Sequence, residues 1–215
     1  VHYFYAILEN ERHVLTDNLF TVAGYEVPKD AGVTTAYPAT FWLGDVDAKN
    51  QLKLAARTYR QGHDYWPGPL TSPAAEVTPA DCNLYDRFWT VLKSDIDAFI
   101  ANPNPPIANN ILEWPGYMNP NVGYSITSDM APFVDVNNDG IYDPNDGDYP
   151  DIKGDQATWW IFNDKGNLHT GSYSDPIGTE VKVMAYAYAT NDVMNNTTFY
   201  EFTVKNEGSQ TLFDA

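Results

Sequence analysis

One cysteine, Cys82, stands in 215 residues, and a lone cysteine cannot close a disulfide within its own chain. No histidine lies near it in sequence, so it reads as a small buried hydrophobe rather than a nucleophile. Basic residues are also scarce, with 12 Lys and Arg against 29 Asp and Glu, for a formal net charge of −17. That balance argues against nucleic acid, whose phosphates demand Lys and Arg, and against an anionic membrane surface. Divalent cations are the natural counter-charge. No apolar run approaches the roughly 18 residues of a membrane helix, so membrane insertion is not expected. The opening segment VHYFYAILEN lacks the basic region and small-residue cleavage site of a signal peptide. The final QTLFDA is still apolar-rich, and the expectation is a mature or trimmed piece of a longer chain.

Catalytic signatures are missing as well. The chain has no H-E-x-x-H, no G-x-S-x-G, no phosphate-binding Walker loop and no dinucleotide G-x-G-x-x-G. The four histidines, at 2, 13, 63 and 169, are scattered, and His63 and His169 read as loop residues with ordinary hydrogen bonds. The expectation is a protein that is not an enzyme.

What is present is a folded, β-rich pattern. Hydrophobic residues make up 43%, more than a disordered acidic chain carries. Residues 40–60, TFWLGDVDAKNQLKLAARTYR, read as a hairpin around DAKNQ. Residues 157–169, ATWWIFNDKGNLH, repeat the scheme, with an aromatic run, a turn and a return. In 179–190, Val181, Val183, Ala185 and Ala187 alternate with polar and aromatic residues. Residues 197–206 follow after a short connection, with Asn206–Gly208 as a turn. Two long neighbouring strands of this kind predict an all-β, antiparallel sandwich-like domain with long aromatic-rich loops. Helix is scarce: Thr78 is placed to cap one short helix that starts at Pro79, and Ser94 another that ends at Asn102-Pro103. NPNPPIANN (102–110) reads as a stiff extended connector. It is the one candidate boundary, but aromatic density on both sides favours a single domain over 1–215.

The segment DVNNDGIYDPNDGDYPD (135–151) holds six aspartates and no Lys or Arg. Counting Asp135 as position 1 puts Asn137 at 3, Asp139 at 5 and Gly140 at 6, where the chain must turn sharply. Ile141 falls at 7, where a backbone carbonyl is used, Asp143 at 9 and Asp146 at 12. Oxygen ligands at alternate positions wrap one hard cation, so the register predicts a calcium site built from Asp135, Asn137, Asp139, Ile141, Asp143 and Asp146. Pro132 before it, with Pro150 and Gly154 after it, exclude the flanking helix pair of an EF-hand. The loop resembles the helix-poor calcium loops of dockerins and thrombospondin type 3 repeats. Asp148 and Asp151 offer a second metal site that shares Asp146. The bland alternative is an acidic, solvated turn.

Two Trp-Pro-Gly segments, YRQGHDYWPGPL (59–70) and ILEWPGY (111–117), suggest a glycan platform of Tyr65, Trp66 and Trp114, because aromatic faces pack on sugar C–H surfaces. The structural alternative is that these rings are core or loop anchors. Glu113 with Asp64 or Asp45 would make a glycosidase carboxylate pair, a pattern any acidic protein offers. NNTT (195–198) carries N-glycosylation sequons.

From about residue 25 onward the succession YEVPKDAG, FWLGDVDAKNQLKLAARTYRQGHDYWPGPL, ILEWPG, APFVDVNNDGIYDPNDGDYPDIKGDQATWWIFND and AYAYATNDVMNNTTFYEFTVKN resembles the N-terminal region of large secreted surface proteins of Bacteroidota, of the kind that carry a C-terminal type IX sorting domain. The resemblance implies an extracellular, cell-surface location more than an activity. The leading expectation is a calcium-stabilised structural or adhesion module of a surface or filament protein, with other copies of itself or other surface proteins as partners. A carbohydrate-binding module that takes extracellular glycans is the alternative, and a glycoside hydrolase the third.

Overall fold

The computed structural model describes residues 25–26, 32, 34–36, 41–56, 62–102, 106–124, 126 and 129–213. The readings made above for residues 1–10, for 57–61 and for 103–105 lie outside these. The described residues form an all-β, sandwich-like fold of antiparallel sheets with few, short helices.

β1 (Tyr25–Glu26) pairs with β2 (Thr34–Ala36), and β3 (Leu43–Val46) pairs with β4 (Leu52–Ala55). The β3–β4 turn is set by Asp47, whose carboxylate accepts the N–H groups of Lys49 and Gln51 at 2.8 and 2.9 Å. The remaining strands are β5 (Trp66–Pro67), β6 (Trp89–Leu92), β7 (Phe133–Val134), β8 (Tyr149–Pro150), β9 (Gln156–Asn163), β10 (Thr179–Ala187) and β11 (Thr198–Asn206). The largest sheet runs β11–β10–β9–β5, with β6 also on β9. β10 and β11 are neighbours, as their alternation predicts, and the connection between them holds a 3-10 turn over Val193–Asn196, capped by Asp192.

The helices are α1 (Pro79–Leu84), α2 (Lys93–Ala101) and α3 (Asn109–Leu112). α1 starts as expected: Thr78 accepts the N–H of Asp81, and Asp81 returns the bond to the Thr78 N–H. α2 does not start at a Ser94 cap. Its N-cap is Leu92, the last residue of β6, without a side-chain cap, and the Lys93 N–H is taken by the Asp155 carbonyl. The strand feeds directly into the helix, which places Ser94 inside the first turn. α3 begins at Asn109, so the end of the 102–110 connector is helical rather than extended.

The return strand expected after 157–163 does not form. Asp164 instead turns its carboxylate onto the N–H groups of Ile177, Gly178 and Thr179 at 2.5–2.9 Å, and the chain between them runs as a loop.

The chain divides into two compact units. The first comprises the described residues of 88–160 and 182–202. Its centre is the β6–β9 pair, where Trp89 lies opposite Trp159 with the rings edge-on at 5.6 Å. The Thr90 and Thr158 hydroxyls, also opposite, bond at 2.8 Å. Trp114, Ile111 and Tyr142 are wholly buried in this unit. The second comprises the described residues up to 87 with 161–181 and 203–213. In it, Tyr65 sits edge-on to Phe162 at 5.1 Å, and Cys82 is buried, with its thiol pushed up to about 11 by burial and by the nearby Asp81 charge.

A candidate cation-binding loop

β7 and β8 pair across the base of the acidic segment, Phe133 opposite Pro150 and Val134 opposite Tyr149, so the loop from Asp135 to Asp148 leaves and re-enters one short ladder. Trp114 anchors the approach, donating its indole N–H to the Pro132 carbonyl at 3.0 Å. Within the loop the chain curls around the first carboxylate. Asp135 accepts the N–H of Asn138 at 2.6 Å and of Asp139 at 3.3 Å through Oδ1, and that of Gly140 at 2.7 Å through Oδ2. The curl continues as Asn137 Oδ1 accepts the Asp139 N–H and Asp139 Oδ1 accepts the Ile141 N–H. Gly140 lies at φ +80, the left-handed conformation that the sixth position of the register requires. Asn138 shares that region at φ +63, which Asn tolerates better than most residues.

The later aspartates behave differently. Asp143 Oδ1 accepts from the Asn145 backbone and from the side-chain amides of Asn121 and Asn145 at 2.8–3.1 Å. Partial burial opposes its charge, but these donors outweigh that and hold its carboxyl below the ordinary value. Asp148 is fully buried, one oxygen accepting the Val136 N–H at 2.8 Å and the other the Asp143 N–H at 2.9 Å. Asp146 is exposed, and its backbone N–H bonds to the Asp143 carbonyl.

Asp135, Asn137, Asp139 and the Ile141 carbonyl thus follow one curl of chain, a set of hard oxygens of the kind calcium takes. Among the described residues, no group of three or more His, Cys, Asp or Glu side chains is gathered as a metal cage. Asp143 is turned to Asn121 and Asn145 instead. The second site expected from Asp146, Asp148 and Asp151 does not assemble, because Asp148 points inward to bond the loop's own backbone.

The expected glycan platform is also corrected. Trp114 is wholly buried, and Tyr65 and Trp66 are less than a tenth exposed. Their ring faces are core contacts rather than a sugar surface. Two of the carboxylates considered for glycosidase chemistry serve the backbone: Asp64 accepts the N–H groups of Ala56, Gly171 and Ser172, and Asp45 those of Val46 and Phe213.

Two features lay outside the sequence reading. In the first unit an open groove of about 490 Å³ is lined by Ile96, Ile100, Tyr149 and Tyr188, with Asp97 and Asp151 among its polar groups. In the second, His169 is enclosed between Asp64 and Asp164. Both join residues far apart in sequence, and no local pattern marks either.

No family model, curated protein or solved structure matches the chain.

Proposed function

We propose that the chain is a non-catalytic structural or adhesion module of an extracellular surface or filament protein, stabilised by calcium. The observation that carries this reading is the curl of Asp135–Ile141 around the Asp135 carboxylate, with a left-handed Gly140 at its sixth position. Calcium would be held by Asp135, Asn137, Asp139 and the Ile141 carbonyl, with Asp143 and Asp146 completing the shell after their side chains turn inward. The ion would supply the positive charge that so acidic a segment lacks. Outside cells calcium is abundant, so an affinity on the order of 10⁻⁴–10⁻³ M suffices. Exposed apolar side chains such as Leu168, Tyr173 and Val193, each more than three-quarters exposed, supply contact points for other copies or other surface proteins. Calorimetric titration of the chain with calcium tests the reading. Saturable binding in that range, lost in Asp139→Ala, supports it, and no binding heat up to 10-fold above it (on the order of 10⁻² M) ends it.

Glycan binding is a second reading, favoured by the groove rather than by the buried tryptophans. Tyr149 and Tyr188 line it beside Asp97 and Asp151, a pairing of aromatic surface with hydroxyl acceptors. Retardation of the chain in polysaccharide-containing native gels, relieved by Tyr188→Ala, would favour this reading over assembly. Reproducible cleavage of a polysaccharide, abolished by Glu113→Gln, would overturn the non-catalytic assignment.

A further inference from the structure

His169 lies wholly inside the second unit, and both of its ring nitrogens face backbone carbonyl oxygens. Nδ1 is 2.9 Å from the Leu54 carbonyl and Nε2 is 2.6 Å from the Asp164 carbonyl. A carbonyl oxygen only accepts, so each contact needs an N–H on the ring. A neutral imidazole carries one. With one proton, a ring lone pair would be pressed against a carbonyl lone pair in a site sealed from water.

Charge balance leads independently to the same state. Asp64 and Asp164 are both fully buried, and each sits 3.8 Å from a different nitrogen of this ring. Asp64 accepts N–H groups from Ala56, Gly171 and Ser172, and Asp164 from Ile177, Gly178 and Thr179. Three N–H donors to each carboxylate favour its charged form over a protonated one, so two negative charges are enclosed together. Buried charges need a partner. Among the described residues, the other groups nearby do not supply one. The Tyr65 hydroxyl donates to the Ala55 carbonyl, Lys53 pairs with Asp175 at 3.0 Å, and Lys165 reaches the Ala74 carbonyl. The Trp66 ring lies 5.9 Å from the imidazole and tilted only 30° from its plane, where its face attracts a cation. Ser172 Oγ is 3.5 Å from Nδ1, but it donates to the Leu54 carbonyl at 2.9 Å, so the trio is not a nucleophile and its base.

We propose that His169 is a buried imidazolium, and that its second proton is a pH-sensitive latch fastening β4, the Asp64 segment and the 164–179 loop to one another. Loss of that proton sets a lone pair against a carbonyl and leaves two enclosed carboxylates without a cation, so the latch loosens as pH rises. This device is separate from the acidic loop and independent of calcium.

The direct test is ¹⁵N-histidine NMR of the full chain near pH 7.5. The His169 ring should show two protonated nitrogens; a single protonated nitrogen on His169 at that pH overturns the proposal. The second measurement is the folding equilibrium constant by denaturant titration, with calcium held constant. An imidazole in water releases its proton near pH 6.5, so above that folding takes up a proton and the constant should fall by up to about tenfold per pH unit. His63→Gln should keep that slope and His169→Gln, if it folds, should lose it. A wild-type constant that is flat from pH 6.5 to about 8.5 also overturns the proposal, whether or not the variant folds.

Discussion

One carboxylate oxygen of Asp148 accepts the backbone N–H of Asp143, five residues earlier, at 2.9 Å. Its other oxygen takes the Val136 N–H, and the side chain is sealed from solvent. The acidic loop therefore has a built-in internal clasp that uses no metal. Asp148→Ala leaves two backbone donors without their acceptor, and each such group costs about 1–3 kcal/mol when buried. The variant should lose stability in denaturant titrations by at least about 1 kcal/mol, in the presence and in the absence of calcium alike. Wild-type stability in both conditions would show that the clasp carries no weight.

Asp139→Ala should behave in the opposite way with respect to the ion. In the proposed site calcium binds the folded state alone, so it adds RT ln(1 + [L]/Kd), on the order of 1 kcal/mol at several times Kd. Chelation should lower the melting temperature of the wild type and expose 135–147 to protease. Asp139→Ala should melt like the chelated wild type whether or not calcium is present. Magnesium should rescue poorly, since it demands a smaller octahedral shell. If melting and proteolysis ignore both calcium and the substitution, the segment is an acidic turn.

The contrast between Asp135 and Asp148 shows which parts of this loop are legible in sequence. Asp135, Asn137, Asp139 and Gly140 set a local curl through side chains that bond the backbone two to five residues on, so spacing alone exposes it. Asp148 looks like one more loop aspartate, and only the packing that buries it decides that it faces inward. The same division holds for the fold. The alternation of Val181, Val183, Ala185 and Ala187 is legible because each of these residues is buried along one strand. The missing return after Asn163 is not, because it depends on the Asp164 carboxylate reaching residues 177–179. His169 offers no sequence signal, since its partners at Leu54 and Asp64 come together only in the folded chain.

Acid should loosen both units. The Asp64 carboxyl is held below its ordinary value: burial opposes its charge, but the Ser172 bond, the N–H groups of Ala56 and Gly171 and the His169 charge outweigh that. Asp143 is held down in the same direction: burial is the largest single influence and raises it, but the bonds from Asn145 and Asn121 together outweigh that. A group lowered in the folded state contributes stability that is present above its unfolded value, about 3.9 for Asp. That stability is lost as pH falls through the folded value. Denaturant titrations should therefore show constant contributions from these groups between about pH 5 and 6 and a loss below about pH 4. In Asp64→Asn the acid loss should be shallower. An identical acid profile in wild type and variant would contradict the assignment.

The last prediction concerns the wall behind the loop. Gly116 follows the buried Trp114 by two residues, and a Cβ built on it would lie 2.5 Å from the Cβ and Cγ of Tyr142. Tyr142 cannot simply move aside: it is wholly buried, its ring is edge-on to Phe133 at 5.3 Å, and its hydroxyl donates to the Ile111 carbonyl at 2.5 Å. One methyl group at Gly116 must therefore displace a ring that joins α3, β7 and the acidic loop. Overpacking of this kind costs about 1–3 kcal/mol. Gly116→Ala should lower the melting temperature by several degrees, and should weaken calcium binding if that binding depends on the position of Ile141 beside Tyr142. Gly123→Ala, where an added Cβ meets nothing within 4 Å, is the matched control and should leave both unchanged. Equal melting of the two variants would mean that Tyr142 yields freely and that the loop has no rigid wall behind it.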